Sequence, residues 1–170
     1  MKKHNGMRPQ DVVVLLKLAV LQGSSWLMKD LAQSLHISAS EVSESLNRSM
    51  HAGLLASDKK KLMKGALLEF LEHGLKYVYP ATPGAVVRGI PTAHSAPPLR
   101  QLISGNETYV WPDAKGNERG QMIEPLHTGV VAASLKDEKL YHLLALADAL
   151  RIGKVREQQL AIKELRKRIE

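Results

Sequence analysis

The chain has no cysteine in 170 residues. That excludes disulfides, thiolate-bound zinc and thiol nucleophiles, and it is compatible with a cytoplasmic location. Aromatic residues make up only 4%, with a single Phe and two Trp. So few rings cannot build the stacking platform on which single-stranded nucleic acids are held. No apolar run approaches the roughly 20 residues of a membrane-spanning helix. Val12–Leu21 is apolar but interrupted by Lys17, and it fits a buried core helix better. The opening MKKHNGMRPQD carries two lysines with no apolar stretch behind them, unlike a secretory leader. A membrane partner is therefore not expected.

What the chain does have is 44% hydrophobic residues and a net charge of +7. The first suffices for a packed core in one or two small domains. The second is unevenly spread. Residues 1–80 hold 11 Lys and Arg against 7 Asp and Glu, residues 81–134 hold 4 against 4, and residues 135–170 hold 9 against 6. Positive ends around a neutral middle suit a polyanion partner at the N-terminal end. The same bounds divide the chain into three regions.

The first region contains LMKDLAQSLHISASEVSESLNRSMHAGL, residues Leu27–Leu54. Its spacing is that of a helix-turn-helix. Ala32 is small where a second helix crosses close above the first, and Ile37 follows a turn at His36 to fill the space between them. Val42 and Leu46, at i and i+4, point inward from the second helix. Ser40, Ser43, Glu44, Asn47 and Arg48 are assigned to its outward face, with Ser38 just before them. Short polar groups and a cation are the kinds that reach base edges and phosphates. Gly53 ends the helix in the left-handed conformation. The alternative is an ordinary amphipathic hairpin in a core.

Around this motif, Gln10–Gln22 predicts a helix that is apolar nearly all round, starting at Pro9. Trp26 and Leu27 form a short first strand or an approach to the next helix. Leu27–Leu35 and Ser40–Ala52 complete three helices, followed by Leu54-Leu55-Ala56 in the order of a winged helix. The lysines that follow, Lys59, Lys60, Lys61 and Lys64, are candidates for phosphate contacts, or simply a solvated turn. Ala66–His73 predicts a helix capped by Gly74 that replaces or extends the wing. Leu75–Tyr79 alternates like a strand.

Pro80–Pro98 concentrates most of the eight prolines and predicts an extended strap, with Val86, Val87 and Ile90 packing along the body. Arg88, His94 and Ser95 can line a pocket there, although a purely structural strap is the simpler reading. Tyr109–Trp111, the turn PDAKGN and Glu118–Ile123 predict a β-hairpin. Helices are expected from Lys136 or Asp137 to Ile152 and over Lys154–Ile169. The apolar stripe Val155, Ile162, Leu165 and Ile169 is either a docking face or a dimer seam. The fold expected is α+β and mainly helical, with an N-terminal winged helix-turn-helix, a Pro-rich and β-hairpin middle and C-terminal helices.

The segments ALLEFLEHGLKYVYPATPGAVVRGIPTAHSAPP, WPDAKGNERGQMIEPLH and LYHLLALADALRIGKVRE, together with the helix-turn-helix, resemble a bacterial subgroup of winged helix-turn-helix, MarR-like regulators. The resemblance implies a cytoplasmic DNA-binding transcriptional regulator. The chain differs from MarR-type proteins in two respects. Those build their dimer from helices at both ends of the chain and carry a plain wing, whereas here a Pro-rich, β-rich middle intervenes.

Signals for catalysis are weak. Glu69-x-x-Glu72-His73 is an inverted zinc-protease motif only if position 69 is His, and it is Glu. Glu138 and His142, at i and i+4, lack a third ligand nearby in sequence. Arg88-Gly89-Ile90-Pro91 is not a phosphate loop, and no G-x-S-x-G elbow occurs. No enzyme activity, metal or cofactor is expected. The expectation is a sequence-specific double-stranded DNA-binding regulator, a repressor acting as a homodimer. Ser40, Ser43, Glu44 and Asn47 would read bases, while Arg48 and Lys59–Lys61 hold phosphates. Two rivals are a protein-interaction module that binds a partner, such as a toxin, through the C-terminal helices, and a small-molecule sensor around Tyr77, Tyr79, Trp111 and His94.

Overall fold

The computed structural model describes residues 5–170. Two helices form its centre. The first, α1 (Pro9–Leu21), has Pro at its first helical position, where the missing N–H costs nothing. Asp11 reaches back to accept the Arg8 backbone N–H at 2.8 Å. Val12 through Leu16 are all buried, as an all-round apolar sequence requires. Helices α2 (Met28–Leu35) and α3 (Ala39–His51) follow and pack on each other, with α3 also on α1. No strand forms at Trp26–Leu27; Leu27 is the extended residue that leads into α2.

After α3 the chain makes a tight hairpin-like turn. Leu55 bridges Leu62, and the Ala56 N–H donates to the Lys61 carbonyl at 2.9 Å. Helix α4 (Lys64–His73) comes next, so a helix follows the short turn rather than replacing it. The strand expected at Leu75–Tyr79 is instead a helical turn, α5 (Leu75–Val78). The Gly74 carbonyl accepts from Tyr77 and Val78, which continues the helical path, and only Leu75 is buried. The alternating pattern there is one buried residue per turn, not a two-faced strand.

The middle region folds into three strands that close on themselves: β1 (Val86–Pro91), β2 (Tyr109–Pro112) and β3 (Glu118–Met122). The strap therefore contains a strand that proline content obscured, with short 3₁₀ turns at Ala93–Ser95 and Leu99–Gln101. The expected β2–β3 hairpin is not made. Both strands run antiparallel to β1, with Ile90 opposite Trp111 and Arg88 opposite Arg119. They are parallel to each other, with Tyr109 opposite Gln121. Close backbone approach is the reason. A Cβ on Gly89 would lie 2.0 Å from the Trp111 carbonyl oxygen, and one on Gly116 would lie 2.2 Å from the Gly89 carbonyl oxygen. The glycines thus let the turn fold inward and wrap β3 round β1.

Three helices complete the chain: α6 (Val130–Lys136), for which the sequence holds no clear signal, α7 (Glu138–Ile152) and α8 (Val155–Ile169). Asp137 caps α7, accepting the Leu140 N–H at 3.0 Å and the Lys17 ammonium at 2.6 Å. Leu143 through Leu150 are buried without a break, so α7 is the second central helix. It touches α1, α5, α6, α8 and the first 3₁₀ turn. The stripe on α8 lies against α4 and α7 of the same chain, with Leu165 and Ile169 fully buried and only Val155 left exposed. One continuous apolar core draws on all three sequence regions. Among the described residues, no helix is long and apolar enough to cross a membrane.

Candidate nucleic-acid interface

The turn between α2 and α3 is built as the motif requires. His36 adopts the left-handed conformation, with φ of 56°. The Ile37 N–H donates to the Ala32 carbonyl at 3.1 Å, and both side chains are buried between the helices. Ser38 caps α3 by accepting the Glu41 N–H at 3.2 Å, and its hydroxyl also lies 3.3 Å from that of Ser40. Ser38 is therefore engaged locally at the helix start. Val42 and Leu46 are buried, and Gly53 has φ of 80° beyond the last turn.

The outward stripe of α3 comprises Ser40, Ser43 and Glu44, with Ser43 and Glu44 exposed, Ser40 exposed at the helix start and Asn47 half-buried. These recur at three and four residues, which places them on one face. His51 continues the stripe and is exposed in the last turn. It is absent from the candidates named from sequence, although the same periodicity from Asn47 points to it.

Arg48 is the correction. It is not on the outward face: its side chain is 7% exposed and turned toward α1. Its Nε donates to Asp11 Oδ2 and its Nη2 to Asp11 Oδ1, both at 2.8 Å. Nη2 also reaches Glu41 Oε1 at 2.7 Å. The Asp11 hydrogen bonds raise the guanidinium above its already high value, outweighing burial. The buried face of α3 is wider than Val42 and Leu46 alone, taking in Ser45 and Ser49 as well. Seven residues separate Glu41 from Arg48, two helical turns, so both lie along this edge. Gln10 also donates to Glu41, and Arg8 lies 3.7 Å from it. The result is a charged clamp that fixes α3 against the start of α1.

The lysines fall into two groups. Lys60 and Lys61 belong to the turn after α3, and Lys59 in the same turn has φ of 58°. Asp58 shapes this turn by accepting the Lys60 and Lys61 backbone N–H groups at 2.8 and 3.0 Å. The Lys60 N–H, followed by that of Lys61, holds the Asp58 carboxyl below its usual range. Among the described residues, the Lys59, Lys60 and Lys61 ammonium groups make no ion pair. Lys64 belongs elsewhere: its Nζ is 3.4 Å from the Glu170 carbonyl oxygen, at the other end of the chain. Lys60, Lys61 and Lys64 also border a cleft of about 560 Å³ with Trp26 and Ser24.

The remaining candidates are dispersed. His94 and Ser95 border a small cleft of about 310 Å³, while Arg88 is exposed on the strand surface. His94 Nε2–H donates to the Glu107 carbonyl at 2.9 Å, its Nδ1 lies 3.3 Å from Glu157, and Ser95 accepts the Tyr109 N–H at 2.9 Å. Those bonds tie the first 3₁₀ turn to its neighbours. Trp111 is buried and donates to Asp148, Tyr79 is half-buried and Tyr77 is exposed. Among the described residues, no group of three or more His, Cys, Asp or Glu side chains is placed to hold a metal ion.

Comparison of the chain with known protein-family models, with curated proteins and with solved structures yields no match. The likeness to MarR-like regulators therefore rests on the sequence segments alone.

Proposed function

We propose that the protein binds double-stranded DNA through α2 and α3 and acts as a transcriptional regulator. The observation that carries this reading is the state of α3. Its back is locked to α1 by a buried ionic clamp, while Ser40, Ser43, Glu44 and Asn47 form a row on its front. A helix held rigidly with a row of short polar groups facing out suits insertion in a major groove. Asn47 is the residue suited to pair with an adenine edge, and Glu44 can accept from a cytosine amine. Lys60 and Lys61 would neutralise backbone phosphates. Action as a homodimer on two half-sites about one helical turn apart is part of the proposal.

The test is duplex binding by the full chain across a salt series, with random competitor DNA. Asn47→Ala is expected to lose about 1–3 kcal/mol on the specific site and little on random duplex. Lys60→Ala is expected to weaken all sequences alike and lower the salt slope by about 1. Equal losses for Asn47→Ala on specific and random duplex overturn base reading. A sedimentation profile showing only the 18.8 kDa species at micromolar concentration overturns the dimer.

A further inference from the structure

Residues 81–134 are electrically neutral as a segment, yet the fold sorts their charges. Arg88 on β1 stands directly opposite Arg119 on β3 in an antiparallel pair. Directly opposed residues project from the same side of a sheet, and like charges so placed repel. Both arginines are exposed, and among the described residues neither has an acidic partner. Val86 opposite Gln121, two residues along, shares the same face.

The nearby carboxylates are turned away or engaged. Glu118 precedes Arg119 and so points to the other side of the strand, where it accepts from Arg100 at 2.7 Å. The Asp113 backbone N–H donates to the Arg88 carbonyl, while its carboxylate accepts the Lys115 N–H. An uncompensated guanidinium pair costs the fold a small repulsion and gives it nothing in return. Its donors match the oxygens of a phosphate, which two guanidinium forks can grip at once.

We propose that the Arg88–Arg119 face is a second phosphate-binding surface of this protein, one that grips a phosphodiester of duplex DNA away from α3. The proposal rests on the duplex-binding reading above and names a contact that the helix-turn-helix does not include. Phosphate is the shared chemistry. A duplex backbone is the favoured source, because the exposed strand pair offers two cations and an amide on an open surface rather than an enclosed pocket.

The experiment compares the full-length wild type, Arg88→Gln/Arg119→Gln and Lys60→Ala on specific and random duplexes over a range of salt. In parallel, inorganic phosphate is titrated against the arginine side-chain NMR signals. The expected result is that the double variant weakens both duplexes equally and lowers the salt slope by about 1 for each phosphate it no longer neutralises. Its melting temperature should stay level or rise, because the repulsion is relieved. Wild-type affinity and slope in the double variant, alongside a normal loss in Lys60→Ala, overturn this proposal and leave the helix-turn-helix reading standing. Absence of duplex binding by the wild type overturns that reading and the duplex source together. Inorganic phosphate then decides the rest: shifts at Arg88 and Arg119 support a clamp for free phosphate, and unmoved signals overturn the clamp altogether.

Discussion

The α2–α3 unit and the small β-structure are each secured by a buried aspartate–arginine pair, and the two pairs work differently. Asp11 and Arg48 come from separate helices 37 residues apart and meet fork to fork. Every bond between them serves to set α3 against α1. Asp148 and Arg151 are neighbours on one helix and share a single bond at 2.8 Å. Their remaining atoms do the joining. Asp148 Oδ2 accepts the Thr92 hydroxyl and the Trp111 indole N–H, both at 2.7 Å. Arg151 donates to the Tyr79 and Glu124 carbonyls. The first pair is a direct brace, and the second is a local pair acting as a hub for a distant element. A brace can be replaced if its two ends are replaced together, whereas a hub cannot.

The largest expected effect tests the hub. Asp148→Ala leaves Arg151, the Trp111 indole and the Thr92 hydroxyl facing a buried gap, and is expected to cost near the top of the ~3–5 kcal/mol range for one-sided removal. Loss of the Trp111 near-ultraviolet signal at a lower denaturant midpoint than the helical signal would show that the β-structure detaches first. The brace comes next. Arg48→Ala should cost about 3 kcal/mol, at the lower end, because Glu41 retains access to water. Arg48→Lys, which keeps the charge but not the fork, should recover only part of it. A wild-type melting temperature for Arg48→Ala would mean that the brace is not formed. The paired change Asp11→Leu/Arg48→Met is expected to be much milder than either single change, and no paired change at Asp148 and Arg151 should match it.

Overpacking the β-structure is third. Gly89→Ala drives a methyl into the Trp111 carbonyl and should cost at least about 1–3 kcal/mol, read in chemical denaturation. The smallest effect is acid sensitivity where α1 meets the start of α7. Burial by itself raises the Asp137 carboxyl, but the Lys17 ammonium and the Leu140 and Lys139 N–H groups outweigh it and hold it below the usual carboxylate range. A carboxyl depressed in the folded state stabilises above its unfolded value and loses that contribution as pH falls below it. Lys17→Ala should therefore remove about 1 kcal/mol at neutral pH and little below pH ~3. An equal loss at both pH values would exclude the ionic contribution.

These two pairs also show what a sequence conceals. Arg48 stands among Ser, Glu and Asn, where a polar residue reads as solvent-facing. What brings it inside is an aspartate in the first turn of another helix. Asp148 lies in the run LLALADAL, where one carboxylate in an apolar helix announces burial but not its partners. Trp111 and Thr92, which hold it, are 37 and 56 residues away in the chain. Much of α2, α3 and the turn between them is readable because Ala32, His36, Ile37, Val42 and Gly53 each act within a few residues of their neighbours. The strands β2 and β3 were located correctly as segments, yet their pairing was not, because a short turn ordinarily implies a hairpin. Here Gly116 in the turn and Gly89 on β1 let both strands pair with β1 instead.

Local periodicity and capping were enough to place α1, α2, α3, α7 and α8 and to identify a polar row on α3. Helical hydrogen bonds close within four residues, so the chain carries that information in short windows. Only the tertiary structure decided that Arg48 faces inward, that the α8 stripe is satisfied by α4 and α7, and that Arg88 meets Arg119. Each depends on a partner far along the chain, and such meetings are set by how whole elements pack, not by the residues on either side.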